Sequence, residues 1–170
     1  MSRSLTSLAA LVLALSASAC GSGPRPLVAG EDSCRYCRMT IDDPRFGAMV
    51  MTARGRIETF DSIECLAGYV SSQTADSAPR AIWVADVEHP SRWLDVTRAR
   101  FLYGSTLHSP MGRRLAALDA AADVEAVRLR LGGELMSWPQ VLTLVASQNA
   151  PTTASAPAAP PTSPSPKTLQ

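Results

Sequence analysis

The sequence predicts an α+β protein, built from small duplicated ββαβ-type units packed as one compact domain. Three observations predict it. Two short apolar runs flank Arg54-Gly55 in "FGAMVMTARGRIETF", the pattern of a β-hairpin. An amphipathic helix follows at once in "FDSIECLAGYVSSQ". A run of glycine, short strand, aromatic residue and amphipathic helix then occurs twice, from Gly55 through Phe60 and from Gly133 through Trp138. In that likeness Ile63 corresponds to Val141 and Leu66 to Leu144. Each copy has a short motif ending in methionine upstream: Cys37-Arg38-Met39 in the first and Ser109-Pro110-Met111 in the second.

The chain begins with targeting rather than fold. Arg3 precedes 14 uncharged residues, Thr6 to Ala19. That stretch is too short for a comfortable membrane span, so residues 1–19 read as a signal peptide. Ala17-Ser18-Ala19 directly before Cys20 has the layout of a lipobox, in which the cysteine is lipidated and becomes the mature N-terminus. Residues 20–32 are then a lipidated tether, with the Gly/Pro content of a flexible spacer. The expected location is the periplasmic side of a membrane, anchored through Cys20.

The domain spans residues 33–148, with two related halves at about 33–75 and 80–148. After the hairpin, Asp61 is the expected N-cap, with Glu64 three residues on as a capping box, and the helix runs from Ser62 to Ser71. "AIWVADV" reads as a buried strand. "SRWLDVT", set off by His89-Pro90, is a second, and "ARFLYG" a third. "RRLAALDAAADVEAVRLRLG" is rich in Ala and Leu and ends at Gly132-Gly133, so it reads as a helix. "GELMSWPQVLTLVAS" is a strand followed by a helix with Pro139 in its first turn. Residues 149–170 hold six of the chain's 13 prolines and little apolar surface, the composition of a disordered tail.

Charge excludes one class of partner. The chain has 16 Lys plus Arg, one of them Arg3 ahead of Cys20, so the mature chain has 15 against 15 Asp plus Glu. That neutrality gives no electrostatic footprint for nucleic acid.

With Cys20 set aside for the lipid, Cys34, Cys37 and Cys65 remain, an odd number for a disulfide framework. Three chemistries suit them. The Cys34-x-x-Cys37 pair is a possible redox dithiol, although Asp42-Asp43-Pro44 places a turn where a thioredoxin-like motif needs a helix. The three thiols with His89 or His108 would make a Cys₃His zinc set. Monovalent copper is soft, accepts thiolate and thioether donors, and is content with few of them. Met49 and Met51 alternate on a hairpin and read as core. Met111 does not: it sits beside His108 in a Ser-Pro-Met-Gly turn where no periodicity asks for an apolar residue.

The ordered set Cys20, Cys37-Arg38-Met39, Phe60-Asp61, Ser109-Pro110-Met111-Gly112 and Gly132-Gly133 resembles the NosL family of copper-binding lipoproteins, which serve the maturation of nitrous oxide reductase. The chain departs from that pattern at Arg38, where many members carry Gly, and at Leu66, where Met is common. The resemblance implies a non-enzymatic Cu(I) chaperone whose partner is nitrous oxide reductase or its membrane maturation complex. It also implies a duplicated α+β unit similar to a domain of organomercurial lyase. Cys37 and Met111 are then the expected ligands, with Met39, His108 and Cys34 as candidates for a third position. Cys65, inside a capped helix, is expected to pack in the core. The alternative class is an exported thiol redox protein or an organomercurial-lyase-like enzyme.

Overall fold

The computed structural model describes residues 23–149. The signal peptide, Cys20 and residues 150–170 lie outside them.

The expected hairpin is β1 (Ala48–Met51) and β2 (Ile57–Phe60), with Ala48 opposite Phe60 and Met51 opposite Ile57. α1 (Ile63–Ser71) then crosses to β3 (Ala81–Asp86), which pairs antiparallel with the other edge of β1. β4 (His89–Asp95) folds back on β3. A second hairpin joins β5 (Ala99–Tyr103) and β6 (Ala116–Asp119). α2 (Val124–Leu131) crosses to β7 (Glu134–Met136) on the other edge of β5, and α3 (Trp138–Asn149) follows.

The sheet order is β2-β1-β3-β6-β5-β7, with β4 attached to β3. It contains one pattern twice. In β1–β3 and again in β5–β7, a hairpin is followed by a helix and a strand that pairs with the hairpin's first strand. The two ββαβ units meet where β3 runs parallel to β6 at one registered pair, Asp86↔Ala117. Val87 N–H donates to Ala117 O there at 2.9 Å.

This repeat has a different register from the Gly55/Gly133 likeness. The likeness maps β2–α1 onto β7–α3, whereas the strand order matches β2–α1 with β6–α2. The likeness reflects shared packing instead. Ile63 and Leu66 of α1 and Val141 and Val145 of α3 belong to one apolar cluster with Phe60 and Phe101. Val127 of α2 joins a separate cluster with Phe46, Leu102 and Leu118.

Two local expectations change. The Ala/Leu-rich stretch is a strand before it is a helix. Alanine favours helix, but Leu115, Ala116, Ala117 and Leu118 are all buried beside β5 and β3, and sheet pairing decides the conformation. The helix starts only at Val124, where the Asp123 carboxylate accepts from Ala126 N–H at 3.0 Å. It ends at Gly132 and Gly133, with φ of 72° and 94°. A Cβ on Gly133 would lie 2.5 Å from Tyr103 O, so only glycine fits. His89-Pro90 lies inside β4 rather than ahead of it. Among the described residues β4 pairs only with β3, and an edge strand tolerates proline.

The ends of the domain are held more closely than the composition indicates. Gly30 N–H donates to Ile41 O at 3.0 Å, Ile41 N–H donates to Asp32 O at 2.8 Å, and Arg25 pairs with Asp32 at 2.5 Å. Residues 25–32 of the tether therefore lie against the domain. At the other end Asn149 is the last residue of α3, and the Arg113 guanidinium donates to the side chains of Gln148 and Asn149.

Candidate metal centre

The Cys34–Met39 stretch folds into a closed turn. Arg38 N–H donates to Cys34 O at 3.0 Å and Cys34 N–H donates to Met39 O at 2.8 Å. Closing the turn puts Arg38 in the left-handed region, φ 68°. That region is where glycine costs nothing and other residues are strained, which accounts for the glycine found there in the resembling family. The turn is tied to the hairpin by Arg35 N–H donating to Thr59 O and by Thr59 Oγ1 donating to Ser33 O, both at 2.8 Å. Tyr36 lies over Gly68 of α1, where an added Cβ would meet its ring at 2.7 Å. The cysteine turn is thus laid across the start of α1.

That start is capped by Ser62, not by Asp61. The Ser62 hydroxyl accepts from Cys65 N–H at 3.2 Å. Both residue types cap helices well, and the neighbouring geometry chooses between them. The choice leaves Asp61 free to face the thiols. Cys37 Sγ donates to Asp61 Oδ2 at 3.4 Å. One ligand atom each from Cys34, Cys37, Asp61 and Cys65 falls within 4.8 Å of all the others. All three cysteines are free thiols.

The electrostatics of the cluster favour holding a cation. The Cys65 thiol beside it holds Cys34 down to about 6, against the effect of burial and with help from the backbone N–H groups of Asp61, Cys37 and Tyr36. Cys65 is pushed up in turn, by Cys34 first and then by burial and Asp61. Burial raises Cys37, and Cys34 and Asp61 add to the rise. Of the three sulfurs, Cys34 is the one whose ionised form its surroundings favour. Asp61 Oδ1 is buried without a hydrogen-bond partner. An orphaned buried acceptor costs about 1–3 kcal/mol, and a cation among the thiols would relieve it. Three cysteine sulfurs suit zinc or monovalent copper by donor type, while the carboxylate oxygen suits zinc.

The other expected ligands lie just outside. Met39, Asp61, His108 and Pro110 line a cleft of about 280 Å³, together with Thr40, Asp42 and Asp43. Met39 is 63% exposed; Met111, next after Pro110, is 40% exposed and is not among the lining residues. The turn that carries Met111 is pinned to α1. Ser109 Oγ donates to Glu64 Oε1 at 2.8 Å and accepts from Arg114 N–H at 2.9 Å. Glu64 is therefore a buried anchor rather than half of a capping box, and its second oxygen has no partner. Burial raises its carboxyl above the usual range, with Ser109, Ser62 and Arg113 opposing.

Of the expected site residues, Cys34 and Cys37 come together in the cluster, and Met39 and His108 share the adjoining cleft. The fourth member of the cluster is Asp61, not a histidine; His89 pairs instead with Asp86, Nδ1 to Oδ2 at 3.3 Å. Asp61, the expected helix cap, is the unexpected member; Cys65 joins the other two thiols as in the three-cysteine zinc set, although the copper reading places it in the core. Cys65 is indeed buried, but it is buried against two other thiols.

Comparison with known proteins agrees with this architecture. The family model described as NosL matches residues 27–145. The crystal structure of the copper chaperone NosL from Shewanella denitrificans aligns with a TM-score of 0.54 at 19% identity, covering 69% of this chain and 96% of that one. At that identity the likeness is one of fold. No curated protein gives a significant match to the chain.

Proposed function

The chain belongs to the NosL family, and on that premise we propose that it is a carrier of copper rather than an enzyme. It takes copper as Cu(I), with Cys37 and Met111 as direct ligands and Met39, His108 or Cys34 completing the set. The observation that carries this reading is the meeting of soft donors at one corner of the molecule. Three thiols lie within 4.8 Å of an Asp61 oxygen, and Asp61 also lines a cleft with Met39 and His108. Soft donors of this kind select Cu(I). The similar Shewanella denitrificans protein is described as a copper chaperone. A thiol redox enzyme needs a thiolate that substrates can reach, and the thiol with the lowered pKa, Cys34, is only 1% exposed.

The client is nitrous oxide reductase or its membrane maturation complex, as in the family's namesake role. A lipid on Cys20 holds the carrier on the periplasmic side of the membrane. The test is competition for Cu(I) between the mature chain and a chelator under reducing conditions. One Cu(I) per chain, nearly lost in Cys37→Ala, is expected, with no turnover of dithiols or organomercurials. Parent-like copper binding by Cys37→Ala would sink the assignment. Replacing Cys20 by Ser should release the protein to a soluble fraction or leave the signal uncleaved; unchanged membrane association counts against the anchor.

A further inference from the structure

We infer that Cys34 and Cys65 close into a disulfide while Cys37 stays a free thiol, so that the cysteine turn is stapled to α1 and copper meets one thiol instead of three. The single copper-binding thiol rests on the Cu(I) reading above, and the oxidising surroundings on export.

The three sulfurs lie within 4.8 Å of one another, and all are free thiols. Three pairings are therefore in reach, and burial and chain separation choose among them. Cys34 and Cys65 are each 1% exposed, whereas Cys37 is half-buried. A bond to Cys37 stays open to attack by outside thiols. A bond between Cys34 and Cys65 is covered and, once formed, persists. A Cys34–Cys37 bond would close three positions (37 minus 34) inside a turn that hydrogen bonds already close, from Arg38 N–H to Cys34 O and from Cys34 N–H to Met39 O. It would constrain nothing new. A Cys34–Cys65 bond closes 31 positions (65 minus 34) and removes more freedom from the unfolded chain. It adds a covalent tie to α1 where the Tyr36 ring already lies over Gly68. The third sulfur has a partner of its own, since Cys37 donates to Asp61 Oδ2 at 3.4 Å.

Cys37 is the point of entry, because it is the thiol an outside reagent can reach. The co-reactant is a disulfide-bearing oxidant of the exported compartment. The Cys37 sulfur attacks one sulfur of that disulfide and forms a mixed disulfide; the oxidant's other sulfur leaves and takes up the Cys37 proton. Cys34 then attacks the Cys37 sulfur and releases the second oxidant sulfur. Cys65 attacks Cys34 in turn, and Cys37 leaves as a thiolate and regains a proton. In sum, Cys34 and Cys65 give up two electrons and two protons, the oxidant becomes two thiols, and Cys37 ends as it began.

Thiol mapping tests this. The full mature chain is treated with oxidised glutathione, its free thiols are alkylated in denaturant, and a tryptic digest is read by mass spectrometry. Arg35 and Arg38 flank Tyr36-Cys37, so trypsin separates Cys37 from Cys34. A linked Cys34–Cys65 peptide with Cys37 alkylated is expected, and the link should survive reduced glutathione added before the denaturant. Cys37→Ser, with folding checked by circular dichroism, should form the same bond more slowly by roughly tenfold. Cys34 joined to Cys37, Cys37 held as its glutathione adduct, three free thiols, or a link that reduced glutathione removes overturns the inference, whether or not the variant folds. A folded Cys37→Ser that reacts at the parent's rate overturns the entry through Cys37. Chelator competition without added thiol reads the copper arm separately. One Cu(I) on the mapped, oxidised chain is expected, and its loss in that form alone overturns the single-thiol carrier. Failure of both oxidised and reduced chains to take up Cu(I) overturns the copper reading itself, an outcome distinct from the map.

Discussion

The turn at Cys34–Met39 and the turn at Ser109–Gly112 each precede a buried strand in its own ββαβ unit, and each carries an exposed methionine. Each also has a left-handed arginine within or just after it, Arg38 at φ 68° and Arg114 at φ 59°. They differ in what they send inward. The first turn buries Cys34 completely and half-buries Cys37 against α1. The second sends only Ser109 inward, to a carboxylate of that same helix. The frame is similar, while the chemistry is divided between reactive sulfur inside and neutral sulfur outside. The difference teaches that sulfur type and access vary together: thiols, which oxygen and stray metals attack, are covered, and thioethers, which cannot form disulfides, are left in reach of solvent.

The sharpest way to break that comparison is at the two sulfurs themselves. Cys37→Ala should weaken Cu(I) binding by roughly a hundredfold or more, while Met111→Ala should weaken it by roughly tenfold and leave the fold intact. Equal effects in chelator competition would erase the distinction between the two turns. Next in size is the anchor of the second turn. Ser109→Ala removes the hydroxyl that Glu64 Oε1 and Arg114 N–H share. It should lower stability by about 2 kcal/mol in urea unfolding, because a buried carboxylate is left less satisfied. Unchanged stability would mean that the Met111 turn is not held from α1.

Acidity probes the same anchor more gently. Burial raises the Glu64 carboxyl in the folded chain. A raised carboxyl contributes stability that is fully present below the unfolded pKa and is lost as pH rises through the folded one. The stability of the parent relative to Glu64→Gln should therefore rise as pH falls from neutral toward that of an ordinary carboxyl, the opposite of the trend for the ion-paired Asp32 and Asp43, which are held low by Arg25 and Arg45. A flat difference between parent and variant would mean that Glu64 titrates normally. The smallest effect is at the backbone. Arg38→Gly should raise stability by up to about 1 kcal/mol, since it relieves a left-handed residue. A loss would show that the Arg38 side chain contributes something its exposed position does not reveal.

Much of the frame was legible in the sequence. The first hairpin, α1, the strands at 81–86 and 99–103, and the β7–α3 pair follow from periodicity and turn residues. The strand at 116–119 was not legible, because four small apolar residues in an Ala-rich stretch carry a helical preference that only neighbouring strands override. The site was half legible. Cys37, Met39 and His108 stand out because they sit in turns with no apolar period to explain them. Cys65 was legible only as part of a three-thiol zinc set, since Ile63, Leu66 and Ala67 make any neighbour look like core, and Asp61 was hidden because it is a sound cap by type. Their meeting with the other two thiols depends on a turn 27 positions upstream (Asp61 minus Cys34) folding over the helix start, and no local pattern announces such a contact.

The single parallel pair between β3 and β6 has a mechanical consequence. Within each ββαβ unit three strands are stitched along their length and form a stiff plate. Between the plates the ladder offers one stitch, at Asp86 and Ala117, and the rest of the joint is side-chain packing. A load on the molecule therefore meets a crease. In deuterium exchange the amides along the crease, Val87 among them, should open ahead of those in β1 and β5. The Met111 turn is rooted in one plate and tied by Ser109 to Glu64 on the helix of the other, so that hydrogen bond spans the crease and resists its flexing.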